Sequence, residues 1–244
     1  MITIAISTYN RLNQLSKCLN SINLKYVDEI LIFNDDENNC LKKNHLKLNN
    51  EILHIINIYQ PTDFGFYNRE FRKPFYVNKA FEIAKNKFIL ISDDDAIFSK
   101  DCIKKHNDAL EKYKFCCGGI IKNKLIKRVS KSILQGTNYS IHKDLFNDIG
   151  KYDEFFINTS GGGDFDFWYR MYHYIIKNHI KSAYIPSAIQ KVYGVSSRIK
   201  NESNRDKAKE YTLNKHNLNF KGPMYKWCPN IRNKKKWMEL IIDD

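Results

Sequence analysis

Short apolar runs alternate with amphipathic segments along the first 120 residues, and this alternation is the strongest constraint on the fold. Each run is of strand length, and the segments between the runs place apolar residues at helical spacing. Strands separated by helices form β-α-β units, whose strands lie parallel in one sheet. We therefore predict an α/β fold with a central, mainly parallel sheet flanked by helices. The predicted strands are residues 2–7, 29–36, 51–58 and 87–92.

Two helices are predicted between these strands, at residues 9–22 and 74–86, and the polar segment 37–50 is predicted to be moderately helical. The second half of the chain is less regular. There a glycine loop leads into an amphipathic helix, and the charged residues 198–216 predict a surface helix. No linker, repeat or low-complexity segment interrupts the sequence, so we expect a single domain over residues 1–244.

The formal net charge of +13 favours partners that carry negative charge. The segment 221–244 combines basic residues with Tyr225, Trp227 and Trp237. It suits an anionic membrane surface or a phosphate backbone; alternatively, its aromatic residues pack on the domain and its lysines face water. No apolar run approaches the roughly 20 residues of a membrane-spanning helix, and no basic leader precedes the first run. We expect a cytoplasmic protein, with peripheral membrane contact as one use of this tail.

Three consecutive carboxylates, Asp93, Asp94 and Asp95, follow the fourth apolar run directly. Adjacent acids in an apolar setting are costly unless a positive charge lies among them. Residues i and i+2 of a strand point to the same side, so Asp93 and Asp95 are expected to face one site while Asp94 faces away. Two oxygen ligands at this spacing suit Mg²⁺ or Mn²⁺. The alternative is a turn that uses Asp for its local hydrogen bonds.

Polar residues also follow the first and second apolar runs, at 8–11 and 34–36. In open α/β sheets, ligands bind beyond the carboxyl ends of the strands. We therefore expect these two clusters to meet the acidic triplet at one edge of the sheet, although all three are far apart in sequence.

A glycine loop at residues 161–163 precedes two further carboxylates, Asp164 and Asp166. A carboxylate within hydrogen-bond reach of an acceptor hydroxyl can take its proton, and glycine lets the backbone approach a substrate closely. The alternative is a helix cap, because Asp is common at helix N-termini. If the helix begins by residue 164, the two side chains diverge by about 200° and only one faces the substrate. We choose Asp164.

Four motifs carry a family resemblance: TIAISTYNR, EILIFNDD, ISDDDAIF and GGGDFDFWYR, in this order. Together they resemble the nucleotide-sugar-dependent glycosyltransferases of the GT-A fold, of the family-2 type, over residues 1–195. The last motif is also similar to the GGED-like element of galactosyltransferases. The resemblance implies a GT-A (Rossmann-like) fold, a nucleotide-sugar donor, expected to be a UDP-sugar, and Mn²⁺ or Mg²⁺ as cofactor. It further implies that residues 1–120 bind the donor and residues 121–244 bind the acceptor.

The resemblance assigns donor contacts to the first two motifs. It implies that Thr8, Tyr9 and Arg11 line the nucleotide pocket. It also implies that Asp35 contacts the base of the nucleotide.

The third motif and the helix before it complete the implied donor site. Asp93 is expected near the ribose or the metal, Asp95 is expected to bind the metal directly, and Asp94 is grouped with the donor-binding residues. Asn78 and Lys79 are expected to approach the donor, although Lys79 fits a solvated surface charge equally well.

The fourth motif departs from the family in one position. Asp164 aligns with the general base and Asp166 with the second acid, but Gly163 stands where Glu is common. Many relatives supply a third metal ligand, often His, after this helix. The corresponding segment 190–198 contains no His, and His216 follows only later in the chain.

Three functions stay open at this stage. The first is metal-dependent sugar transfer to a hydroxyl of a surface glycan or lipid-linked saccharide, expected to invert the anomeric centre, with retention as the alternative. The second is transfer to nucleic acid, such as hydroxymethylated bases of phage-type DNA. The third is binding of nucleotide sugars without catalysis.

Overall fold

A computed structural model describes residues 1–36, 39–46, 51–58, 73–122, 136–159, 162–193, 202–218 and 238–241. Its strands are β1 Ile2–Thr8, β2 Val27–Asn34, β3 Leu53–Asn57, β4 Phe88–Asp93, β5 Ala96–Phe98, β6 Phe115–Lys122, β7 Tyr139–His142, β8 Ser182–Val192 and β9 Glu239–Leu240. Its α-helices are α1 Leu12–Asn20, α2 Lys73–Ile83, α3 Cys102–Ala109, α4 Lys143–Ile149, α5 Gly163–Lys177 and α6 Glu202–Lys215. Short 3-10 helices lie at Leu24–Tyr26, Lys43–His45 and Glu154–Asn158.

All nine described strands belong to one sheet, in the order β3-β2-β1-β4-β7-β6-β8-β5, with β9 beside β8. The pairs β3-β2, β2-β1 and β1-β4 are parallel, as the alternation of strands and helices predicted. The second half of the chain adds an irregular extension, in which β7 pairs antiparallel with both β4 and β6. The prediction of a mainly parallel α/β sheet is confirmed, and the antiparallel insertion of β7 is the part that periodicity did not reveal.

The sheet has a hydrophobic core on each face because successive side chains of a strand point to opposite sides. In β1, Ile4 and Ile6 join the core that contains Leu15 of α1, whereas Ala5 joins the core on the other face. That second core includes Trp168 of α5, which is fully buried. Helices therefore cover both faces and leave the strand ends as the place for polar residues.

The parallel register brings the predicted polar clusters together. Ser7 lies opposite Asp93 across the β1-β4 pair, and Thr8 lies opposite Asn34 across the β1-β2 pair. The carboxyl ends of β1, β2 and β4 thus share one edge, as expected.

The predicted helix at 37–50 is wrong within the described residues, where only a 3-10 turn at Lys43–His45 forms. A side chain of the neighbouring strand β3, Asn57, hydrogen-bonds the backbone groups that a helix would need. The Asn57 side chain accepts a bond from the Leu41 N–H at 2.8 Å and donates to the Leu41 carbonyl at 2.9 Å. Such side-chain bonds compete directly with helix formation.

The predicted surface helix at 198–216 is observed as α6, over the part of that range that is described. The basic segment 221–244 lies outside the described residues, apart from 238–241. Among the helices that are described, none is long and apolar enough to cross a bilayer.

Replacing Trp168 by Ala should lower the free energy of unfolding by about 3–5 kcal/mol. The ring is completely buried and packs edge-on against Phe115 and Tyr139, with ring centroids 5.2 Å apart in each case. Urea unfolding measures the change. Ile176→Ala, at a 46% exposed position of the same helix, is the control and should cost less than about 0.5 kcal/mol. A loss below about 1 kcal/mol for Trp168→Ala would show that this core does not hold α5.

Candidate active site

The acidic triplet lies where β4 ends: Asp93 is its last residue, and Asp94 and Asp95 form the turn before β5. Asp94 is buried and ties this turn to the end of β1. The Thr8 hydroxyl donates to Asp94 at 2.8 Å, and the Arg11 guanidinium lies 3.1 Å from its other oxygen. Burial raises the pKa of Asp94 to about 6, although Arg11 and Thr8 oppose this rise.

Asp93 points to a different partner, the ammonium group of Lys73 at the start of α2. The Lys73 Nζ donates to Asp93 Oδ1 at 3.1 Å and to the carbonyl oxygen of Gly136. Lys73 is only 4% exposed, so its charge depends on these partners. No sequence motif marks Lys73, because its contacts are 20 and 63 residues away along the chain.

Asp95 shares Arg11 with Asp94, at 3.4 Å from the guanidinium. Burial raises the pKa of Asp95, and the negative charge of Asp93 raises it further. The described cations bonded to the three carboxylates are Arg11 and Lys73, so negative charge remains in excess.

A divalent cation fits this set of oxygen donors and the excess charge. The side chain of Asp93 is 37% exposed and that of Asp95 is 12% exposed, whereas Asp94 is already committed to Thr8 and Arg11. Within the described residues, no group of three or more His, Cys, Asp or Glu side chains is arranged to hold a metal. Asp93 and Asp95 are the two carboxylates of the triplet that could contribute ligands to a metal.

The other residues predicted to bind the nucleotide lie at the same edge. Asp35 follows β2, and its N–H donates to the Thr8 carbonyl at 2.9 Å. Tyr9 is 38% exposed at the end of β1. A small cavity between α2 and the strands β1 and β4 is lined by Ser7, Lys73 and Ser92 together with buried apolar side chains such as Phe33 and Ile91.

Asn78 and Lys79, predicted to approach the donor, make contacts within the protein. The Asn78 side chain accepts a bond from the Tyr152 N–H at 2.8 Å and donates to the Tyr152 carbonyl at 2.9 Å. Lys79 pairs with Glu82 on the exposed face of α2, at 2.6 Å. The structure thus places Asn78 behind the site and Lys79 on the surface.

Helix α5 begins at Gly163, after Gly162 adopts a φ of +105° that favours glycine. Asp164 lies in the first turn, half-buried, and accepts a hydrogen bond from the Tyr152 hydroxyl at 3.2 Å. A β-carbon built on Gly136 would lie 2.3 Å from Lys73 Nζ and 2.6 Å from Asp164 Oδ2. Asp164 and Lys73 therefore pack so closely against Gly136 that no side chain fits there, and Lys73 joins this place to Asp93.

Asp166 lies on another side of α5 and is fully buried. Its carboxylate accepts bonds from Arg170 at 2.8 Å and from His216 at 2.8 Å, and Lys215 lies 3.0 Å away. Burial opposes the charged form, but His216, Arg170 and Lys215 outweigh it and lower the pKa to about 2. Asp166 thus joins α5 to the end of α6, and His216 is its partner.

Comparison with known proteins identifies the fold and the family. A search of curated protein sequences found no match. S. aureus TarS 1-349, solved in complex with UDP-GlcNAc, has a TM-score of 0.63 and 13% identity, over 90% of this chain and 68% of that one. A second structure of S. aureus TarS 1-349 has a TM-score of 0.56 and 13% identity, over 90% and 66% of the two chains.

The sequence model described as "Glycosyl transferase family 2" matches residues 3–175, which include both the acidic triplet and Asp164. The order of the motifs, the parallel strands and the shared edge agree with this match. The chain belongs to glycosyl transferase family 2 and has the GT-A fold of nucleotide-sugar glycosyltransferases.

Proposed function

We propose that the protein transfers a sugar from a UDP-sugar to a hydroxyl group with the help of Mn²⁺ or Mg²⁺. One observation supports this function best: two acidic elements from distant parts of the chain lie near Lys73. Its ammonium group bonds Asp93, and both it and Asp164 pack against Gly136. The UDP-GlcNAc bound to TarS supports a UDP-sugar as the donor. In this proposal residues 1–120 bind the donor and residues 121–244 bind the acceptor, within one domain.

The proposed chemistry is a single displacement. The acceptor hydroxyl attacks the anomeric carbon while Asp164 takes its proton, and the bond from that carbon to the diphosphate oxygen breaks. The electron pair leaves with UDP, and the anomeric configuration inverts. Asp164 suits this role because it is half-buried and Tyr152 holds one of its oxygens, so its carboxylate is fixed in orientation.

Charge at the edge of the sheet suits the departure of a diphosphate. Lys73 and Arg11 are held there by ion pairs before any substrate binds. Donors and cations that are fixed in advance stabilise developing negative charge without having to reorganise. We therefore assign to Lys73 and Arg11 the role of binding the leaving group, with Thr8, Tyr9 and Asp35 around the nucleoside.

Asp93 and Asp95 are the residues that would hold the divalent cation. Their carboxylates suit Mn²⁺ or Mg²⁺, and diphosphate oxygens and water would supply the remaining ligands. When bound, the cation would offset the charge of the diphosphate and act as a Lewis acid toward it. Asp94 orients the turn through Thr8 and Arg11.

The proposed acceptor is a hydroxyl of a surface glycan or a lipid-linked saccharide, as the resemblance implies. Nucleic-acid or anionic-membrane contact depends on the basic segment 221–244, most of which lies outside the described residues. A cytoplasmic location is part of the same proposal.

Asp164→Asn should reduce turnover by about 10²–10⁴-fold, because the amide cannot accept the proton. The measurement is UDP release from UDP-GlcNAc, UDP-glucose and UDP-galactose with Mn²⁺. Asp148→Asn is a matched control, since the exposed Asp148 accepts a bond from Tyr174 at 3.2 Å, the same distance as between Tyr152 and Asp164. The turnover of Asp148→Asn should stay within about twofold of that of the wild type. Normal turnover by Asp164→Asn would show that Asp164 is not the general base.

Asp166→Asn should instead lower stability, by about 3 kcal/mol near neutral pH, because the basic partners of a fully buried carboxylate lose their counter-charge. The pKa of Asp166 is lowered in the folded state to about 2, so its contribution is complete above the unfolded pKa of about 3.9 and is lost as pH falls toward 2. The difference in the free energy of unfolding between wild type and Asp166→Asn, measured by urea unfolding, should therefore become smaller as the pH falls from 5 to 2.

Asp108→Asn is the control for Asp166→Asn. Asp108 also pairs with a basic residue one helical turn away, Lys104, but both side chains are exposed. Its loss should cost less than about 0.5 kcal/mol. Equal effects of the two substitutions would contradict the structural role of Asp166.

Excess EDTA should abolish UDP release, and added Mn²⁺ should restore it, because Asp93 and Asp95 are proposed to share the ion with the diphosphate. Asp95→Ala should also abolish the Mn²⁺-dependent part of the thermal stabilisation by UDP, a readout that needs no turnover. Full activity in EDTA, or unchanged Mn²⁺-dependent stabilisation of Asp95→Ala, would overturn the assignment of the metal site.

A further inference from the structure

We infer that Tyr152, supported by Tyr139, is a positioning residue that anchors one oxygen of Asp164 and thereby fixes the orientation of its carboxylate. This inference rests on the proposed role of Asp164 as general base. It adds two residues that lie in none of the four motifs that point to the family.

Two buried phenols form a chain of hydrogen bonds that ends at Asp164. The hydroxyls of Tyr139 and Tyr152 are 2.9 Å apart, and the Tyr152 hydroxyl donates to Asp164 Oδ1 at 3.2 Å. Because Tyr152 gives its proton to Asp164, Tyr139 is the donor to Tyr152. Both rings are nearly inaccessible to solvent, at 0% and 3% exposure. Burial raises the pKa of both phenols well above the ordinary value, so both remain donors.

The backbone of Tyr152 is fixed from the other side by Asn78. Its amide pairs with both the N–H and the carbonyl of Tyr152, and it also donates to Glu154 at 2.9 Å. The Tyr152 ring stacks on Phe167 of α5, with ring centroids 4.4 Å apart. Tyr152 is thus immobilised at both its backbone and its ring, as a positioning residue requires.

The two oxygens of Asp164 are therefore not equivalent. Oδ1 is bonded to Tyr152, and Oδ2 is the closer of the two to Gly136, at 2.6 Å against 2.9 Å from a β-carbon built there. A donor to a carboxylate favours its charged form, and it also fixes the direction of the second oxygen. Lys73 of α2 packs against the same glycine, and its ammonium group pairs with Asp93 of β4.

The test is Tyr152→Phe, assayed by UDP release from the same three UDP-sugars with Mn²⁺ as a function of pH. Loss of a hydrogen bond to a charged group should move the acidic limb of kcat/KM upward by about one pH unit. At a fixed pH near this limb, kcat should fall by about tenfold while KM for the donor stays unchanged. A merely structural role for Tyr152 would not move the pH profile.

Tyr174→Phe is the matched control, because it removes a phenol that donates to a carboxylate at the same 3.2 Å but away from the site. Its pH profile should coincide with that of wild type. If Tyr152→Phe fails to fold, the double variant Tyr139→Phe/Tyr152→Phe replaces it, since removing both hydroxyls leaves neither one buried without a partner.

Asp164→Asn in the same assay distinguishes failure of the positioning role of Tyr152 from failure of the general-base assignment of Asp164. If Asp164→Asn loses turnover but the Tyr152→Phe profile matches wild type, the positioning role is overturned and the proposed function stands. If Asp164→Asn keeps turnover, the base assignment itself fails. A shifted limb in Tyr152→Phe, with no shift in Tyr174→Phe, supports the inference.

Discussion

Negative charge gathered at the end of a buried strand is the constraint on which the rest of the structure depends. Asp93, Asp94 and Asp95 require positive partners, and the chain supplies them from two helix starts: Arg11 immediately before α1 and Lys73 as the first residue of α2. Docking of α1 and α2 on opposite cores therefore also brings two cations to the acidic edge and offsets part of its charge.

The same helix gives two acids opposite roles because of its geometry. Positions 164 and 166 diverge by about 200° around α5. Asp164 consequently lies near Gly136 and Tyr152, whereas Asp166 turns into the protein toward Arg170, which matches its charge. We propose the first carboxylate as the general base, and the second fixes the helix that carries it.

The sequence was most informative where chemistry is encoded locally. Strand runs and the DDD triplet identified the sheet edge, because a parallel register carries the ends of β1, β2 and β4 to one place. The sequence did not reveal the roles of Lys73 and Tyr152 or the contact between Asp166 and His216. Each depends on partners 12 to 63 residues away, and no periodicity or motif records such pairings. For the same reason the sequence does not reveal that the Asn78 amide pairs with the backbone of Tyr152.

Helix α6 lies beyond residue 175, where the family match ends, yet Lys215 and His216 at its end contact the buried Asp166. The span shared across the family is therefore smaller than the unit that folds. A fragment or chimera cut at the family boundary would separate Asp166 from Lys215 and His216, and Arg170 would be the one described basic residue still paired with it. Such a cut would also remove β8 and β9 from the sheet, so the family boundary is a poor place to divide this chain.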